Sequence, residues 1–466
     1  MRATKLICTL GPATEDRIAA LVEAGMDVAR INCSHQGPEE RDRLLDGVRA
    51  AAAAAGRAVA VMADLSGPKV RLGELEGGAV TLREGQEFVL RSDDRPGNAA
   101  GAATTHAGLA GDLEPGDRVL LSDGEVELRV LSSGRDLATE VLRGGTVRSR
   151  AGVNVPSERL GLPAVTEKDR GDAAWAVAAG LDLVAQSFVR RADDVEELRG
   201  ILGDRPPLIV AKVETRAAVD DAPRIVKVAD AVVVARGDLG VEADLEEIPV
   251  LQKELVAAAR RAGTPVIVAT QMLESMVREP APTRAEVGDV AGAVFEGVDG
   301  MLLSAETAIG AYPVEAVRTA ARIIEVTETR GGRFVAAPLE TGAPPASDAQ
   351  ALCEAAAEMA REGAAVAVAC FTRTGRTAAL LAAARPMVPI LALSPDQAVA
   401  RRLTLYHGVV PMACREPADT DAMLALLDRA LRDSRCAQPG DPAVLVASTP
   451  FARAHTNLLK LHRVTG

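Results

Sequence analysis

The sequence predicts an α/β chain: a closed parallel (β/α)8 barrel, interrupted by an inserted small β-barrel domain and followed by a C-terminal α/β open-sheet domain. Three observations predict it. Short apolar runs alternate with helical patterns through eight strand–helix units once the stretch from about Lys69 to Pro156 is set aside, and eight is the number that closes a parallel barrel. That stretch has a different texture, with brief alternating segments such as AVTL, EFVL, DRVLL, VELRV and LATEVL between Gly-rich turns, the pattern of a small β-barrel or sandwich. Aromatic residues make up only 2% of a chain that is 48% hydrophobic, so its cores are built from Ala, Val, Leu and Ile, which suits helices packed on parallel strands.

The elements follow in order. LICTL is a strand ended by Gly11-Pro12, and a helix runs from about Glu15 to Glu23 with Gly25 as its stop. MDVARINCS is the second strand, a helix covers 38–55, and AVAVMADL is the third strand. After the insert, Thr166 is an N-cap with Asp169 three residues on as an approximate capping box. Strand DLVAQSFV, a helix near 193–202 and strand LIVAKVE come next. DAVVVARGD reads as a strand to its end, before a helix over 249–262. Then come strand PVIVATQ, a helix over 284–295, strand GMLLSAE and a helix over 313–329. The expected division is 1–69 with 156–330 for the barrel, 70–155 for the insert, 331–347 for a Gly- and Pro-rich linker, and 348–466 for the last domain. There, helices near 349–362 and 419–432 alternate with strands AAVAVACFT, PILAL, VVPMA, AVLVAS and NLLKLHRV.

Composition narrows the function. A net charge of −12 and a pI near 5.2 argue against nucleic acid or an anionic membrane as partner. No apolar run spans a bilayer, and the N-terminal apolar stretch is too short for a signal peptide. Six cysteines without CxxC spacing read as reduced residues of a cytoplasmic protein. Seven lysines stand against 46 arginines, so a retained Lys is more often one needed as a compact point charge.

In a closed parallel barrel, chemistry collects where strands end. Arg30, Asn32 and Ser34 share a face at the end of the second strand, and Asp64 ends the third. Ser187 and Arg190 end the fourth, Lys212 and Glu214 the fifth, and Asp238 the sixth. Thr270 and Gln271 end the seventh, Ser304 and Glu306 the eighth. Lys212 and Glu214 are two apart, so on a strand they leave the same face. With Asp238 on a neighbouring strand they make two carboxylates and an ammonium at one rim. A hard divalent ion takes one or two carboxylates plus substrate oxygens, and an adjacent Lys can hold a phosphoryl group. A structural salt-bridge cluster is the alternative.

Ten segments, among them ICTLGPAT, GMDVARINCSH, DLSGPKVR, AQSFVR, IVAKVE, VVVARGDLGVE, VIVATQMLESM and MLLSAETA, resemble the pyruvate kinase family in order along essentially the whole chain. The resemblance implies a TIM barrel that transfers a phosphoryl group from phosphoenolpyruvate to ADP, giving pyruvate and ATP, with the insert as a lid. It implies Lys212, Arg30, Thr270, Ser304 and Glu306 as catalytic residues, and Glu214 and Asp238 as ligands of Mg2+ (or Mn2+). Arg30, Gly237, Asp238, Thr270 and Ser187 would surround phosphoenolpyruvate; Arg71, His35 and Lys168 would serve the nucleotide. Asn32, Ser34, Asp64 and the Leu65 carbonyl match the ligands of a K+ ion, yet Lys69 stands where K+-requiring members commonly have Glu. Lys69 is expected to put its charge in the ion's place, paired with Asp64, so that K+ is not required. A homotetramer is expected too.

The chain departs from the family at Leu65-Ser66, Ala305 and Ile309. Thr372, Arg373, Thr374, Gly375, Arg376 and Thr377 join a strand to a helix and resemble the family's sugar-phosphate effector loop, a cradle of hydroxyls and a helix start. The second half of that site is the short STPFARAHTN without Trp, which points to a monophosphate effector. A plain capped turn is the alternative. Two competing functions stay open at this point: another metal-dependent barrel enzyme that handles phosphoenolpyruvate or pyruvate, and a non-catalytic phosphometabolite sensor.

Overall fold

The protein is seen as a computed structural model that describes residues 2–122, 124–156, 159–204, 206–332, 345–363, 365–449 and 456–466. Eight parallel strands close a barrel: β1 (Lys5–Thr9), β2 (Val28–Asn32), β3 (Ala60–Asp64), β4 (Leu183–Val189), β5 (Leu208–Val213), β6 (Ala231–Ala235), β7 (Val266–Ala269) and β8 (Gly300–Leu303). Sequence neighbours pair all the way round, and β1 pairs with β8 in register Lys5 to Gly300. The strands are buried on both faces, which is why they read as continuous apolar runs.

Helices form the outer ring, and local signals set their ends. The helix Pro38–Ala55 starts with Pro in its first turn and stops at Gly56, whose φ of 60° lets its N–H return to Ala52 and Ala53 carbonyls. Its buried face is Leu44, Leu45, Val48, Ala51 and Ala52. Thr166 and Asp169 make a reciprocal capping box for the helix Glu167–Ala178, as their spacing predicts. Three elements differ from the sequence reading. The eighth strand stops at Leu303, and Glu306 lies on the short helix Ala305–Ala308 and not on the strand. The first helix opens as a 3-10 turn, Glu15–Arg17, before Ile18–Ala24. The sixth strand stops at Ala235, and Arg236–Glu242 is a helix, so Asp238 lies on its first turn and not on a strand.

Between β3 and β4 the insert wraps its own core, with Phe88 fully buried, in a six-stranded and a two-stranded sheet. The sequence reading missed three of its short strands, Gly101–Ala103, Gly145–Arg148 and Val153–Asn154, which are too short to show an alternating apolar pattern. The C-terminal domain is a five-stranded sheet of β9 (Ala367–Phe371), β10 (Ile390–Ser394), β11 (Val409–Ala413), β12 (Pro442–Ala447) and β13 (Leu458–Arg463), with only β13 antiparallel. It docks under the barrel floor: Leu405 is fully buried in the barrel's interior core beside Ile7, Val28 and Ile267. Most of the expected linker, residues 333–344, lies outside the described residues. Cys8, Cys33, Cys353 and Cys370 are buried, and all six cysteines are free thiols. Among the described residues no helix is long and apolar enough to cross a membrane.

Candidate active site

The end of β5 supplies the centre of the site. Lys212 and Glu214 leave one face, and Lys212 Nζ lies 2.7 Å from Glu214 Oε1. The same ammonium donates to Ser187 Oγ at 2.8 Å and stands 3.5 Å from Asp64 Oδ1, so the ends of β3, β4 and β5 converge on one charge. Burial alone would lower the Lys212 pKa, but Asp64 and then Glu214 outweigh it and hold the ammonium above its ordinary value. Asp64 is buried, which would raise its pKa, yet Arg30 and Lys212 pull it below the usual range. Arg30 donates from Nε to Asp64 Oδ2 at 2.6 Å and from Nη1 to Thr9 Oγ1 at 2.7 Å. Ser187 Oγ donates to the Leu65 carbonyl at 2.7 Å.

Glu214 is the other pole. Burial pushes its carboxyl up and the Asp238 charge adds to this, outweighing Lys212. Its Oε2 accepts the Phe188 N–H at 2.8 Å, but its buried Oε1 meets Lys212 outside hydrogen-bond geometry and has no hydrogen-bond donor. A buried carboxylate oxygen short of a donor and a second carboxylate that repels it make a donor set suited to a divalent cation. Among the described residues no group of three or more His, Cys, Asp or Glu side chains could hold a metal. Two carboxylates are what a hard ion completed by substrate oxygens asks for.

Asp238, on the first turn after β6, remains partly open to solvent, and Lys69 Nζ lies 4.0 Å from its Oδ1. The expected partner of Lys69 was Asp64. Asp64 is instead enclosed by Arg30, Lys212 and Ser187, and the turn at Gly67 directs Lys69 toward the end of β6.

Thr270 follows β7 in a left-handed conformation, φ 71°, and Gln271 after it has φ 57°, strain of a kind that gathers at functional sites. Thr270 Oγ1 accepts the Gly237 N–H at 2.8 Å and donates to the Ala269 carbonyl at 2.6 Å. Arg236, which the sequence reading passed over, holds this turn: its Nη2 donates to the Thr270 carbonyl at 2.7 Å while Nη1 pairs with Asp289 at 2.7 Å. The signal available was a charge directly after a wholly buried strand. Ser304 is the residue before the short helix Ala305–Ala308, and its side chain makes no capping hydrogen bond to it. Glu306 is buried and accepts the N–H groups of Leu273 and Ser304 at 3.1 and 2.7 Å, tying the β7 and β8 loops together behind Thr270.

The remaining residues lie around this rim. Asn32 Oδ1 accepts the Ser34 N–H at 2.9 Å, and Ser34 Oγ donates to Ser66 Oγ at 3.1 Å. Lys168 Nζ joins the same patch through the Cys33 carbonyl, Ser66 and Asp172 at 2.7, 3.1 and 2.6 Å. His35 is exposed beside it. Arg71 is on the insert, where its Nη1 donates to the Arg150 carbonyl at 3.2 Å, and no contact joins it to Lys212. A cavity of about 830 Å3 lies at the other end of the barrel, between Arg261, Thr264 and the C-terminal domain; charge and backbone strain, not cavity size, single out the rim.

The loop 372–377 belongs to the C-terminal domain. Gly375 has φ 88° and precedes the helix Arg376–Ala384, and its N–H donates to Thr372 Oγ1 at 3.0 Å. Thr377 Oγ1 meets Thr456 Oγ1 at 2.9 Å, and Arg373 pairs with Glu416 at 2.8 Å. Thr374 and Arg376 border a cavity of about 300 Å3. Residues 450–455 of the companion loop are outside the described residues.

With this geometry in hand, the comparisons with known proteins are specific. A family profile described as "Pyruvate kinase, barrel domain" matches residues 1–317, and one described as "Pyruvate kinase, alpha/beta domain" matches 350–462. A pyruvate kinase of Methylorubrum extorquens is 41% identical over 469 residues, 100% of this chain and 98% of its own length. One of Corynebacterium glutamicum is 42% identical over 99% of this chain and 97% of its own. The crystal structure of a pyruvate kinase from Cryptosporidium parvum superposes with a TM-score of 0.90 at 32% identity, covering 99% of this chain and 96% of that one.

Proposed function

The chain belongs to the pyruvate kinase family, a phosphotransferase family that acts on phosphoenolpyruvate and ADP and depends on a divalent metal, and from that premise we propose how its own residues carry the reaction. The observation that carries the reading is the 2.7 Å approach of Lys212 to Glu214 at the end of β5. Phosphoryl transfer asks chiefly for positioning and charge neutralisation. Lys212 lies where its ammonium can meet the phosphoryl group as the bond to the enol oxygen breaks and the bond to the terminal ADP oxygen forms. Arg30 holds the phosphate from the neighbouring strand, and Ser187 fixes the Lys212 rotamer. Glu214 and Asp238 are the proposed ligands of Mg2+ or Mn2+, which when bound offsets the phosphate charge as a Lewis acid.

The enolate left behind must gain a proton on carbon. Thr270 is the proposed neighbour of that carbon, but a hydroxyl is too weak an acid to be the ultimate donor, so it relays from water. Gly237 lies against Thr270, and the backbone N–H groups near Gly237 and Asp238 are proposed for the substrate carboxylate, with Ser304 and Glu306 bracing the turn. His35, Lys168 and Arg71 are proposed for the nucleotide, with Arg71 carried on the insert, which at about 70–155 acts as a lid that excludes water. The proposed units are otherwise 1–69 with 156–330 for the barrel and 348–466 for the effector domain.

Several finer features belong to the same reading. K+ is proposed not to be required. The candidate ligands Asn32, Ser34 and the Leu65 carbonyl each have a protein partner, Asp64 is neutralised by Arg30 and Lys212, and Lys69 brings a further positive charge. A phosphorylated metabolite is proposed at Thr372–Thr377. A homotetramer is proposed as well, with the open edge strand β13, where Leu461 is 53% exposed, as one surface available for contact. The cytoplasm is the proposed compartment.

The decisive experiment is a coupled assay for pyruvate formed from phosphoenolpyruvate and ADP with Mg2+. Turnover supports the reading. Binding of phosphoenolpyruvate without pyruvate formation would leave only the sensor.

A further inference from the structure

The lid joins the barrel through two connections, and both rest on one short segment, Ser187–Arg190, at the end of β4. The outgoing connection passes Gly67, which has φ +66°; a Cβ there would stand 2.9 Å from Phe188 Cδ2 and 3.0 Å from the Ser187 carbonyl. Only a glycine fits so close an approach with that backbone. The returning connection is held by Arg190, whose Nη1 donates to the Leu160 carbonyl at 2.8 Å and whose Nη2 donates to the Leu162 carbonyl at 2.9 Å.

The same segment reaches the chemistry from its other side. Ser187 Oγ accepts from Lys212, and the Phe188 N–H donates to Glu214. Phe188 itself has φ 54°, an outlier for a bulky side chain, and the pairing of β4 with β5 shifts register between Gln186 and Val189. The bulge re-aims the chain: it points Phe188 N–H at Glu214 and sends Arg190 outward to the lid's return. Asp194 braces the turn by accepting the Arg190 and Arg191 N–H groups at 2.8 and 3.2 Å.

We propose that Arg190 is a positioning residue for phosphoryl transfer: it fastens the lid's return segment to the strand end that also orients Lys212 and Glu214. A guanidinium suits the task because its planar fork reaches two carbonyls two residues apart, whereas an ammonium on a flexible stem meets one. The inference rests on the lid reading, and the test separates the two.

In the full-length enzyme, steady-state kinetics are compared for wild type, Arg190→Met and Arg190→Lys, alongside melting temperature and amide hydrogen exchange over 159–164. Arg190→Met keeps the packed stem and loses both donors. Its kcat is expected to fall about tenfold, with KM for ADP raised, KM for phosphoenolpyruvate within about twofold, melting temperature near wild type and protection over 159–164 lost. Arg190→Lys is expected to recover part of kcat. Loss of protection with kcat unchanged would overturn the inference and leave the lid reading standing. A kcat loss that tracks a lowered melting temperature, with both KM values moved alike, would reduce Arg190 to a stabilising residue and overturn it as well. Exchange over the wild-type return segment that ignores phosphoenolpyruvate, ADP and Mg2+ together would remove the lid reading and this inference with it.

Discussion

Lys69 Nζ stands 4.0 Å from Asp238 Oδ1, so the lysine at the lid's outgoing connection faces a proposed metal carboxylate and not Asp64. A Lys ammonium about 4 Å from a monovalent cation repels it by roughly 4 kcal/mol at an effective dielectric near 20, and the proposal that K+ is not required asks Lys69 to act at that range on an ion held at Asn32, Ser34 and the Leu65 carbonyl. Turnover in tetramethylammonium buffer is therefore expected to rise less than tenfold, the equivalent of about 1.4 kcal/mol, when KCl is added at constant ionic strength. Lys69→Glu should acquire a K+ requirement. Strong activation of the wild type by K+ would count against the assignment.

Lys212 has three partners on three strands, Glu214, Ser187 and Asp64. Lys212→Met should abolish pyruvate formation from phosphoenolpyruvate and ADP, while exchange of pyruvate methyl protons with solvent, followed by NMR, survives in part. The exchange needs the groups near Thr270 rather than the ammonium. Turnover at the wild-type rate in this variant would take Lys212 out of the mechanism.

What was legible in the sequence follows from range. Alternation along a strand is a local property, so Lys212 beside Glu214, and Arg30 on the face of Asn32, could be read directly. The Thr166–Asp169 cap is equally local. Asp238 reads as a strand end because it follows the apolar run Ala231–Ala235 within three residues and no cap or proline marks a break, although the chain turns helical at Arg236. The left-handed Thr270 and Phe188 left no compositional trace, since neither is glycine. Arg236 acts on a carbonyl 34 residues away, and Leu405 fills a barrel built by another domain. Contacts of that range depend on the assembled fold.

The loop at Gly375 gives a separable prediction, because it shares no contact with the barrel rim. Thr374→Ala combined with Thr377→Ala should remove activation by sugar monophosphates and bisphosphates and leave the unactivated rate within about twofold. Titrations of the double variant and wild type against a panel of such compounds check this. Activation that persists unchanged would make the loop a helix cap alone.

His407 lies where the C-terminal domain docks, with the adjoining Gly408 N–H donating to the Ala3 carbonyl at 2.9 Å and Lys5 Nζ to the Val409 carbonyl at 2.7 Å. Burial, then the positive charges of Arg385, Lys5 and Arg260, hold its imidazole well below the ordinary value of 6.5. The folded ring refuses a proton that the unfolded ring accepts, so below about pH 6.5 the unfolded state binds more protons and stability falls as pH falls. One such group contributes up to about 1.4 kcal/mol per pH unit. The urea midpoint should therefore drop between pH 7.5 and pH 5.5, and His407→Gln should show a smaller drop while starting from lower stability. Parallel losses in the two proteins would mean that His407 is not the group that titrates; the buried Asp299 would not account for them, because its raised carboxyl pKa means that the folded state holds that proton more tightly and acid favours it.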